Sequence, residues 1–290
     1  MELRIMYGAP DTRTTRVRKA ESDASEGVGS GRGCPMNGLL DGKTLLITGV
    51  ATPESIAFAT AARATALGAR VVLTAFPRDF EQARSCAETL PGAPPVISLD
   101  VTDPLQLASV TEDVRSRVGH LDGVLHAIAF APREALAAFV GVPSSGIELA
   151  FRTSVHSYVA LAGMLAELAP ERGGSVVGLD FDADRAWPTY NWMGVCKAGL
   201  ESANGYLARD LGPRRIRANL VAAGPLATRA ASAIPGFDAL VATWQSAPLA
   251  WDINDPSPVA DAICFLFSDM SSAITGEILH VDGGRHAVNP

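Results

Sequence analysis

Cysteine is scarce in this sequence, and its spacing shows no ligand pattern. The four cysteines are widely spaced and include no C-x-x-C pair: Cys34, Cys86, Cys196 and Cys264. Neither a disulfide framework nor a zinc site is therefore expected, and no metal is assigned. A reducing cytoplasm is the expected compartment, and Cys196 is interpreted as a small buried thiol.

The sequence also lacks long apolar runs and an excess of positive charge. A membrane-spanning helix needs about 18 or more consecutive apolar residues, and no such run occurs. The net charge is −7, so the protein offers no basic surface to a phosphate backbone. Membranes and nucleic acids are therefore not expected partners. The first residues contain no apolar core of a signal peptide.

What is present is an aliphatic, globular composition. Apolar residues make up 48% of the chain, charged residues 19% and aromatic residues 6%, which favours a buried sheet. Residues 1–36 mix charges with Gly and Ser and have no hydrophobic period, so they are predicted to be a disordered leader. Residues 37–290 are predicted to be one folded domain.

Seven apolar segments alternate with segments of helical periodicity. The predicted strands are TLLITG (44–49), RVVLTAF (70–76), VISLD (96–100), GVLHAIAF (123–130), SVVGLDF (175–181), RANLVAAG (217–224) and EILHVDGG (277–284). Between them, apolar residues recur three or four positions apart. This alternation predicts an α/β fold, a doubly wound Rossmann-type parallel sheet of about seven strands in a single domain. Residues 229–247 do not follow this alternation of strand and helix segments, and we expect them to form a lid.

The turn after the first strand is a candidate phosphate site. Gly49 ends the strand and Ser55 opens the next helix, so N–H groups at a helix N-terminus would lie beside a glycine turn. That arrangement favours a pyrophosphate. The usual G-x-G-x-x-G pattern is absent, and a capped turn without a ligand is the structural alternative.

The next two strands end in residues that bear on adenosine binding. Phe76 stands where an NAD-specific Rossmann unit has an Asp or Glu for the ribose. Arg78 could bind a 2′-phosphate, stack near adenine or lie solvated at the surface. Asp100 and Val101 could bind and pack the adenine, and the alternative role for Asp100 is a loop cap.

Tyr190 and Lys197 are seven positions apart on a predicted helix, which places both side chains on one face, two turns apart. A lysine beside a phenol can hold the hydroxyl groups of a cofactor. Its charge also makes the phenol a better hydrogen-bond donor. By itself, this spacing also arises by chance in many helices.

Several segments occur in the same order as in a known family: SIAF, LDGVLHAIAF, GLDFDADRAWPTYNWMGVCKAGLES, LVAAGP and HVDGG. Over about residues 37–288, the chain resembles the enoyl-acyl-carrier-protein reductases of the short-chain dehydrogenase/reductase superfamily. The resemblance implies an oxidoreductase of fatty acid biosynthesis that uses NADH to reduce 2-trans-enoyl thioesters. It also implies a homotetramer whose substrate is carried by acyl-carrier protein or CoA.

The resemblance assigns roles to individual residues. Tyr190 matches the family's catalytic tyrosine, Lys197 its cofactor-binding lysine, and Phe181 the aromatic residue beside the nicotinamide and the substrate. Hydride transfer to C3 would leave an enolate that the Tyr190 hydroxyl stabilises. The other expected cofactor contacts are Gly49, Ser55, Ile56, Phe76, Asp100, Val101, Ile128, Ala129, Pro225, Leu226 and Thr228.

Some positions depart from the family. Ala129 replaces a usual glycine close to the cofactor, Ala127 replaces a small polar residue, and Thr153 replaces a bulkier aliphatic one. The lid is shorter than the long substrate loop known in the family, which indicates short or medium acyl chains. Its apolar residues either line an acyl slot with Tyr190 or pack the lid onto the core: Ile234, Phe237, Val241 and Trp244.

Two other functions stay open. One is a diverged short-chain dehydrogenase that acts on a ketone with NADPH, with which Arg78 is compatible. Ordinary members carry Tyr-x3-Lys and an upstream serine, whereas here six residues separate Tyr190 from Lys197 and Val177 occupies the serine position. The other is a catalytically weak paralogue that binds nucleotide or scaffolds a partner, which would account for Ala129.

Overall fold

The computed structural model describes residues 38–288, which build a seven-stranded, all-parallel sheet. In chain order the strands are β1 (Thr44–Ile47), β2 (Arg70–Ala75), β3 (Val96–Ser98), β4 (Gly123–His126), β5 (Gly174–Asp180), β6 (Ile216–Ala223) and β7 (Ile278–Val281). Their order across the sheet is β3-β2-β1-β4-β5-β6-β7. The predicted fold class is confirmed, and each predicted segment overlaps one strand, with β5 and β6 beginning one residue earlier than predicted. The leader predicted over residues 1–36 lies outside the described residues.

Helices cover both faces of this sheet. They are α1 (Ile56–Ala66), α2 (Phe80–Glu88), α3 (Pro104–Val118), α4 (Arg133–Ala137), α5 (Ser144–Phe151), α6 (Ser157–Leu168), α7 (Asn191–Leu211), α8 (Phe237–Ala242) and α9 (Ser257–Phe267). Leu45 and Ile47 pack into the core layer with α1 and α9, whereas Leu46 packs with α3 and α6, because successive strand side chains point to opposite faces. Among the helices of residues 38–288, none is long and apolar enough to cross a membrane.

The helical stretch formed by α5 and α6 is interrupted. Between α5 and α6 the backbone takes one π-helical turn, Arg152–His156. Within this turn, the Ser154 hydroxyl accepts the Phe130 N–H at 3.0 Å and donates to the Phe130 carbonyl oxygen at 3.1 Å. Turns of this kind concentrate at functional sites. Here the turn fixes the segment that leaves β4.

The sheet order creates a crevice at the carboxyl edge of the strands. β1 pairs with β2 on one side and with β4 on the other, so the order of strands reverses between β1 and β4. The segments that leave neighbouring strands diverge at such a point, and open α/β sheets bind their ligands there. The segments beginning at Thr48, Ala127 and Phe181 leave the sheet at this edge.

Candidate active site

The crevice begins at the turn after β1, where glycine is required. Gly49 has a φ of 77°, which side chains of L-residues rarely allow, and a Cβ at this position would collide with the Ala127 carbonyl oxygen. The preceding Thr48 hydroxyl donates to the Leu125 carbonyl oxygen at 2.7 Å. The turn is therefore fastened to β4 at the point where the crevice opens.

A capped helix end follows this turn. Ser55 is the N-cap of α1: its hydroxyl accepts the Phe58 N–H at 3.2 Å and donates to the Thr52 carbonyl oxygen at 2.7 Å. Ile56, the first helical residue, is half-buried. A helix N-terminus next to a glycine turn favours an anionic group such as a phosphate.

Phe181 and Tyr190 meet at the carboxyl end of β5. Their ring centroids are 5.1 Å apart, the ring planes are inclined by 57°, and both side chains are buried. Burial raises the pKa of Tyr190, and the charge of Asp180 raises it further. The phenol therefore stays protonated at neutral pH and is a hydrogen-bond donor.

The sequence predicts Tyr190 on a helix, whereas the structure places it at the N-cap, one residue before α7 begins. Thr189 has a φ of 61° and Asn191 a φ of 39°. Each left-handed residue of this type costs about 1–3 kcal/mol. The Asn191 side-chain N–H donates to the Leu136 carbonyl oxygen at 2.6 Å. A strained turn, and not helical periodicity, therefore sets the position of the phenol.

Lys197 is the buried cation of the site. Its Nζ donates to the Leu179 carbonyl oxygen at 2.7 Å. Burial lowers the pKa of Lys197, while the neighbouring Asp180 carboxylate opposes this. Burial raises the pKa of Asp180 to about 7, against the effect of Lys197, and Glu201 adds to the rise. Both Asp180 carboxylate oxygens are buried without a hydrogen-bond partner among residues 38–288.

The predicted adenosine contacts lie at the ends of β2 and β3. Asp100 Oδ1 accepts the Thr102 N–H at 2.9 Å and the Thr102 hydroxyl at 2.7 Å, so this oxygen caps the loop. Val101 beside it is buried. The Arg78 guanidinium lies 5.3 Å from the centroid of the Phe76 ring, which is 44% exposed. An exposed cation–aromatic pair therefore borders this end of the crevice.

The remaining predicted cofactor residues lie after β4 and β6. Ile128 is half-buried and packs against the core layer of α3 and α6, whereas Ala129 is exposed. The methyl group of Ala129 therefore lies outside the packed core. After β6, Pro225 and Leu226 are buried and Thr228 is half-buried.

The predicted lid, residues 229–247, consists of short helical pieces around α8. Its carboxyl end is fixed by two hydrogen bonds. Trp244 Nε1 donates to the Asp282 carbonyl oxygen at 2.9 Å, and Arg285 Nε donates to the Thr243 carbonyl oxygen at 2.9 Å. The lid is therefore fastened to the segment that follows β7.

The lid packs on the aromatic rings of the site. Ile234 and Phe237, two of the predicted substrate contacts, pack against the buried cluster that contains Tyr190. Val241, the third, is half-buried outside that cluster, and its neighbour Leu240 belongs to it. Because α8 spans only Phe237–Ala242, Ile234 and Trp244 lie outside this helix, and the four apolar lid residues do not share one helical face.

Two tryptophans fill the space behind Phe181. The Trp187 and Trp244 rings stack with centroids 5.5 Å apart, and they lie 5.2 and 5.7 Å from the Phe181 ring. Trp187 Nε1 donates to the Asp182 carbonyl oxygen at 2.6 Å. The cavity left there is about 10 Å³, space for about one water molecule. Hydrogen-bonded indoles therefore close this side of the site.

The sequence of this chain matches a known protein family. The family model described as Enoyl-(Acyl carrier protein) reductase matches residues 49–286. The chain belongs to the enoyl-acyl-carrier-protein reductase family. The match includes the glycine turn, the Tyr190 turn and the lid.

Relatives within the enoyl reductase family match nearly their whole length. The enoyl-[acyl-carrier-protein] reductase [NADH] of Mycolicibacterium smegmatis is 40% identical over 266 residues, covering 86% of this chain and 98% of the relative. That of Bacillus cereus, also named for NADH, is 36% identical over 252 residues, with the same coverage of both chains. The Staphylococcus aureus enzyme, named for NADPH, is 38% identical over 255 residues, covering 86% of this chain and 98% of the relative. The named cofactor therefore differs between relatives of similar identity.

The site of this enoyl reductase family member fits a nicotinamide dinucleotide. The Gly49 turn and the start of α1 favour a pyrophosphate. The Lys197 ammonium and the Asp180 oxygens, which have no partner in the described part of the chain, offer hydrogen bonds to ribose hydroxyl groups. Phe181 provides a flat apolar wall. Within the described part of the chain, no cluster of three or more His, Cys, Asp or Glu side chains could hold a metal ion.

Sequence reasoning missed three residues of the site. Asp180 is the last residue of a buried strand, where carboxylates are rare. Its position in the LDFD segment could therefore have identified it as a candidate functional residue. Trp187 lies in the family segment that was recognised, but its stacking partner comes from the distant lid. Ser154 had no signal, because the π-helical turn that places it has no known sequence pattern.

Proposed function

We propose that this protein is an NADH-dependent enoyl reductase of fatty acid synthesis that saturates 2-trans-enoyl thioesters carried by acyl-carrier protein or CoA. The observation that carries the proposal is the contact between Phe181 and Tyr190, whose ring centroids are 5.1 Å apart, at the end of the strand to whose Leu179 carbonyl oxygen Lys197 is hydrogen-bonded. Membership of the family supports the same reaction, and the relatives from M. smegmatis and B. cereus are named for NADH.

The reaction divides between the cofactor and the chain. Bound NADH supplies a hydride to C3 of the enoyl thioester. Negative charge then develops on the thioester carbonyl oxygen, and the Tyr190 hydroxyl donates a hydrogen bond to it. Burial supports this role, because it raises the pKa of Tyr190 and keeps the phenol protonated. A proton delivered to C2 completes the reduction.

Lys197 and Phe181 position the reactants in this proposal. The Lys197 ammonium, held by the Leu179 carbonyl oxygen, binds the ribose hydroxyl groups. The Phe181 ring lies against Tyr190 and separates the reacting atoms from water on that side. The carboxylate of Asp180 balances the buried cation, because its charge opposes the effect of burial on the pKa of Lys197.

We place the acyl slot beneath the lid. Ile234 and Phe237 line it together with Tyr190, and the half-buried Val241 stays a candidate contact outside the cluster around Tyr190. Trp187 and Trp244 leave a cavity of only about 10 Å³ behind Phe181, so an acyl chain cannot extend in that direction. The lid, which is shorter than the family's long substrate loop, makes short or medium chains the expected substrates.

We also propose assembly as a homotetramer. Phe151, Val159, Val195 and Tyr206 are 39–60% exposed, and they lie on α5, α6 and α7. The faces of these helices offer apolar area that an identical subunit can cover symmetrically.

The proposed location is the cytoplasm. Cys86, Cys196 and Cys264 are buried, and they form no disulfide with one another within residues 38–288. Thiols persist in a reducing compartment. The family's place in fatty acid synthesis supports the same location.

The direct test is the consumption of NADH by the purified full chain with enoyl thioesters of graded length. Parallel reactions use NADPH in place of NADH and an acetoacetyl thioester in place of the enoyl substrate. Enoyl-dependent oxidation of NADH that declines with very long chains is the expected result.

The other outcomes identify the alternatives. Turnover of the acetoacetyl thioester without turnover of any enoyl thioester would establish a ketone reductase. Measurable NADH binding without turnover of either substrate would establish a nucleotide-binding paralogue. Either result would overturn the proposed function.

A further inference from the structure

One ion pair joins the two sides of the crevice. Arg229 Nη2 lies 2.6 Å from Asp79 Oδ1. Asp79 belongs to the connection between β2 and α2, whereas Arg229 opens the lid after β6. The two residues are 150 positions apart in the chain.

The position of this pair follows from the sheet order. β2 and β6 are four strand positions apart. Neighbouring strands are about 4.8 Å apart, so these two are about 19 Å apart within the sheet. An ion pair between the segments that follow them must therefore pass over the carboxyl ends of β1, β4 and β5. The two segments that the pair joins therefore lie on either side of the switch point between β1 and β4, where a dinucleotide would bind.

The Asp79 carboxylate is placed by its neighbours. Its side chain is 11% exposed, and its other oxygen, Oδ2, lies 3.5 Å from Arg78 Nε. It makes no capping hydrogen bond to the start of α2. Arg78 and Arg229 are 66% and 48% exposed. The nearly buried Asp79 carboxylate therefore forms ion pairs with the guanidinium groups of both Arg78 and Arg229 at this end of the crevice.

This end of the crevice is where cofactors with and without a 2′-phosphate are distinguished. Rossmann units read the adenosine ribose with the residue at the end of the second strand, and here Phe76 occupies that place without a charge. Asp79 is the first acidic residue after it. A 2′-phosphate needs free guanidinium or ammonium groups, and it is repelled by a nearby carboxylate.

We propose that Asp79, held from across the crevice by Arg229, is the residue that makes this protein select NADH over NADPH. The inference rests on the proposed cofactor, and it adds the group responsible for the choice. Asp79 acts in two ways. It places a negative charge beside the 2′-phosphate position, and it keeps Arg78 and Arg229 from binding that phosphate.

The test measures the dissociation constants of NADH and NADPH by calorimetric titration of the purified full chain, without substrate. Asp79→Asn keeps the shape of the side chain and removes its charge. We expect the variant to bind NADPH about tenfold more tightly than wild type and NADH within about threefold of it, because a charge is removed beside a doubly charged phosphate. If Asp79→Asn does not fold, Asp79→Ser tests the same expectation.

A double variant separates the two effects. In Asp79→Asn with Arg229→Gln, the guanidinium released from Arg229 is absent, so the part of the NADPH gain that Arg229 supplies should disappear, while the part due to the lost Asp79 charge and to Arg78 should remain. Asp261→Asn is the matched control, because Asp261 forms a comparable bond with Arg63 at 2.5 Å between α1 and α9. The ratio of the two dissociation constants should not change in this control.

Several results would overturn the inference. An unchanged ratio in both Asp79 variants would show that Asp79 does not select the cofactor, while wild-type NADH binding would leave the proposed function intact. Tighter binding of NADPH than of NADH by wild type would also refute it. Failure of wild type to bind either dinucleotide would refute both the inference and the proposed cofactor.

Discussion

The Lys197 ammonium donates a 2.7 Å hydrogen bond to the carbonyl oxygen of Leu179, the residue that precedes Asp180, whose carboxylate has no hydrogen-bond partner among residues 38–288. The bond fixes a buried cation at the end of β5. The sheet itself, through a backbone oxygen, thus positions the lysine that the proposed function assigns to the ribose. The nearby carboxylate keeps hydrogen-bonding capacity for a ligand.

Lys197→Met should weaken NADH binding by about tenfold or more, because it removes a charge-assisted hydrogen bond in a desolvated site. Fluorescence titration with NADH measures this. Lys43→Met is the control, since Lys43 Nζ bonds Asp269 at 2.7 Å before β1 begins, away from the crevice. Equal dissociation constants for the two variants would contradict the role of Lys197.

Tyr190→Phe should lower kcat by about a hundredfold or more, the usual effect of removing a donor to a developing oxyanion. The dissociation constant of NADH should change little. Tyr206→Phe removes a phenol that is 60% exposed on α7, and it should keep full activity. Wild-type kcat in Tyr190→Phe would remove this residue from the mechanism.

Gly49→Ala should destabilise the fold by about 3 kcal/mol, from the positive φ and from overpacking. Gly119→Ala isolates the first cause: its φ is 79°, and a Cβ there meets nothing within 4 Å. The free energy of unfolding of Gly119→Ala should fall by only about 1 kcal/mol. Urea unfolding gives both values, and equal losses would mean that the contact with Ala127 has no cost.

Phe237→Ala should raise KM for enoyl thioesters more than Val241→Ala does, because only Phe237 packs against the cluster around Tyr190. Both should leave NADH binding unchanged. Steady-state kinetics across a series of acyl lengths measure the difference. A larger increase in KM for Val241→Ala than for Phe237→Ala would show that the acyl slot lies on the side of the lid where Val241 is.

Acid should destabilise the protein through His126, which is buried with Nε2 2.7 Å from the Ser157 hydroxyl. Burial, aided by the charge of Lys197, lowers the pKa of His126 from 6.5 to about 3. The unfolded chain therefore binds a proton below pH 6.5 that the folded chain does not accept until about pH 3. The stability that the fold gains from neutral His126 is therefore fully present above pH 6.5. It is lost as the pH falls from 6.5 to about 3.

The expected loss is about 1 kcal/mol for each pH unit in that window. Urea unfolding at about pH 6 and about pH 5 measures it, and His126→Gln should reduce the difference by that amount. His156→Gln, which alters an exposed histidine, should keep the wild-type difference. An identical pH dependence in wild type and His126→Gln would exclude His126 as its source.

The sequence by itself determined the fold class. Strands buried on both faces need continuous apolar runs, and the helices between them need apolar residues on one side, so both are visible locally in segments such as TLLITG and RVVLTAF. The family segment around Tyr190 and Lys197 also allowed the reaction to be predicted from the sequence. The glycine at position 49 was predictable because one backbone conformation demands it.

Only the tertiary structure decided how these parts meet. The strained residues Thr189 and Asn191 orient Tyr190, and helical spacing contains no information about such a turn. Asp79 and Arg229 form their ion pair across 150 positions of sequence, because the sheet order folds two connections over the same crevice. Contacts of this kind depend on where loops leave the sheet, which local periodicity does not specify.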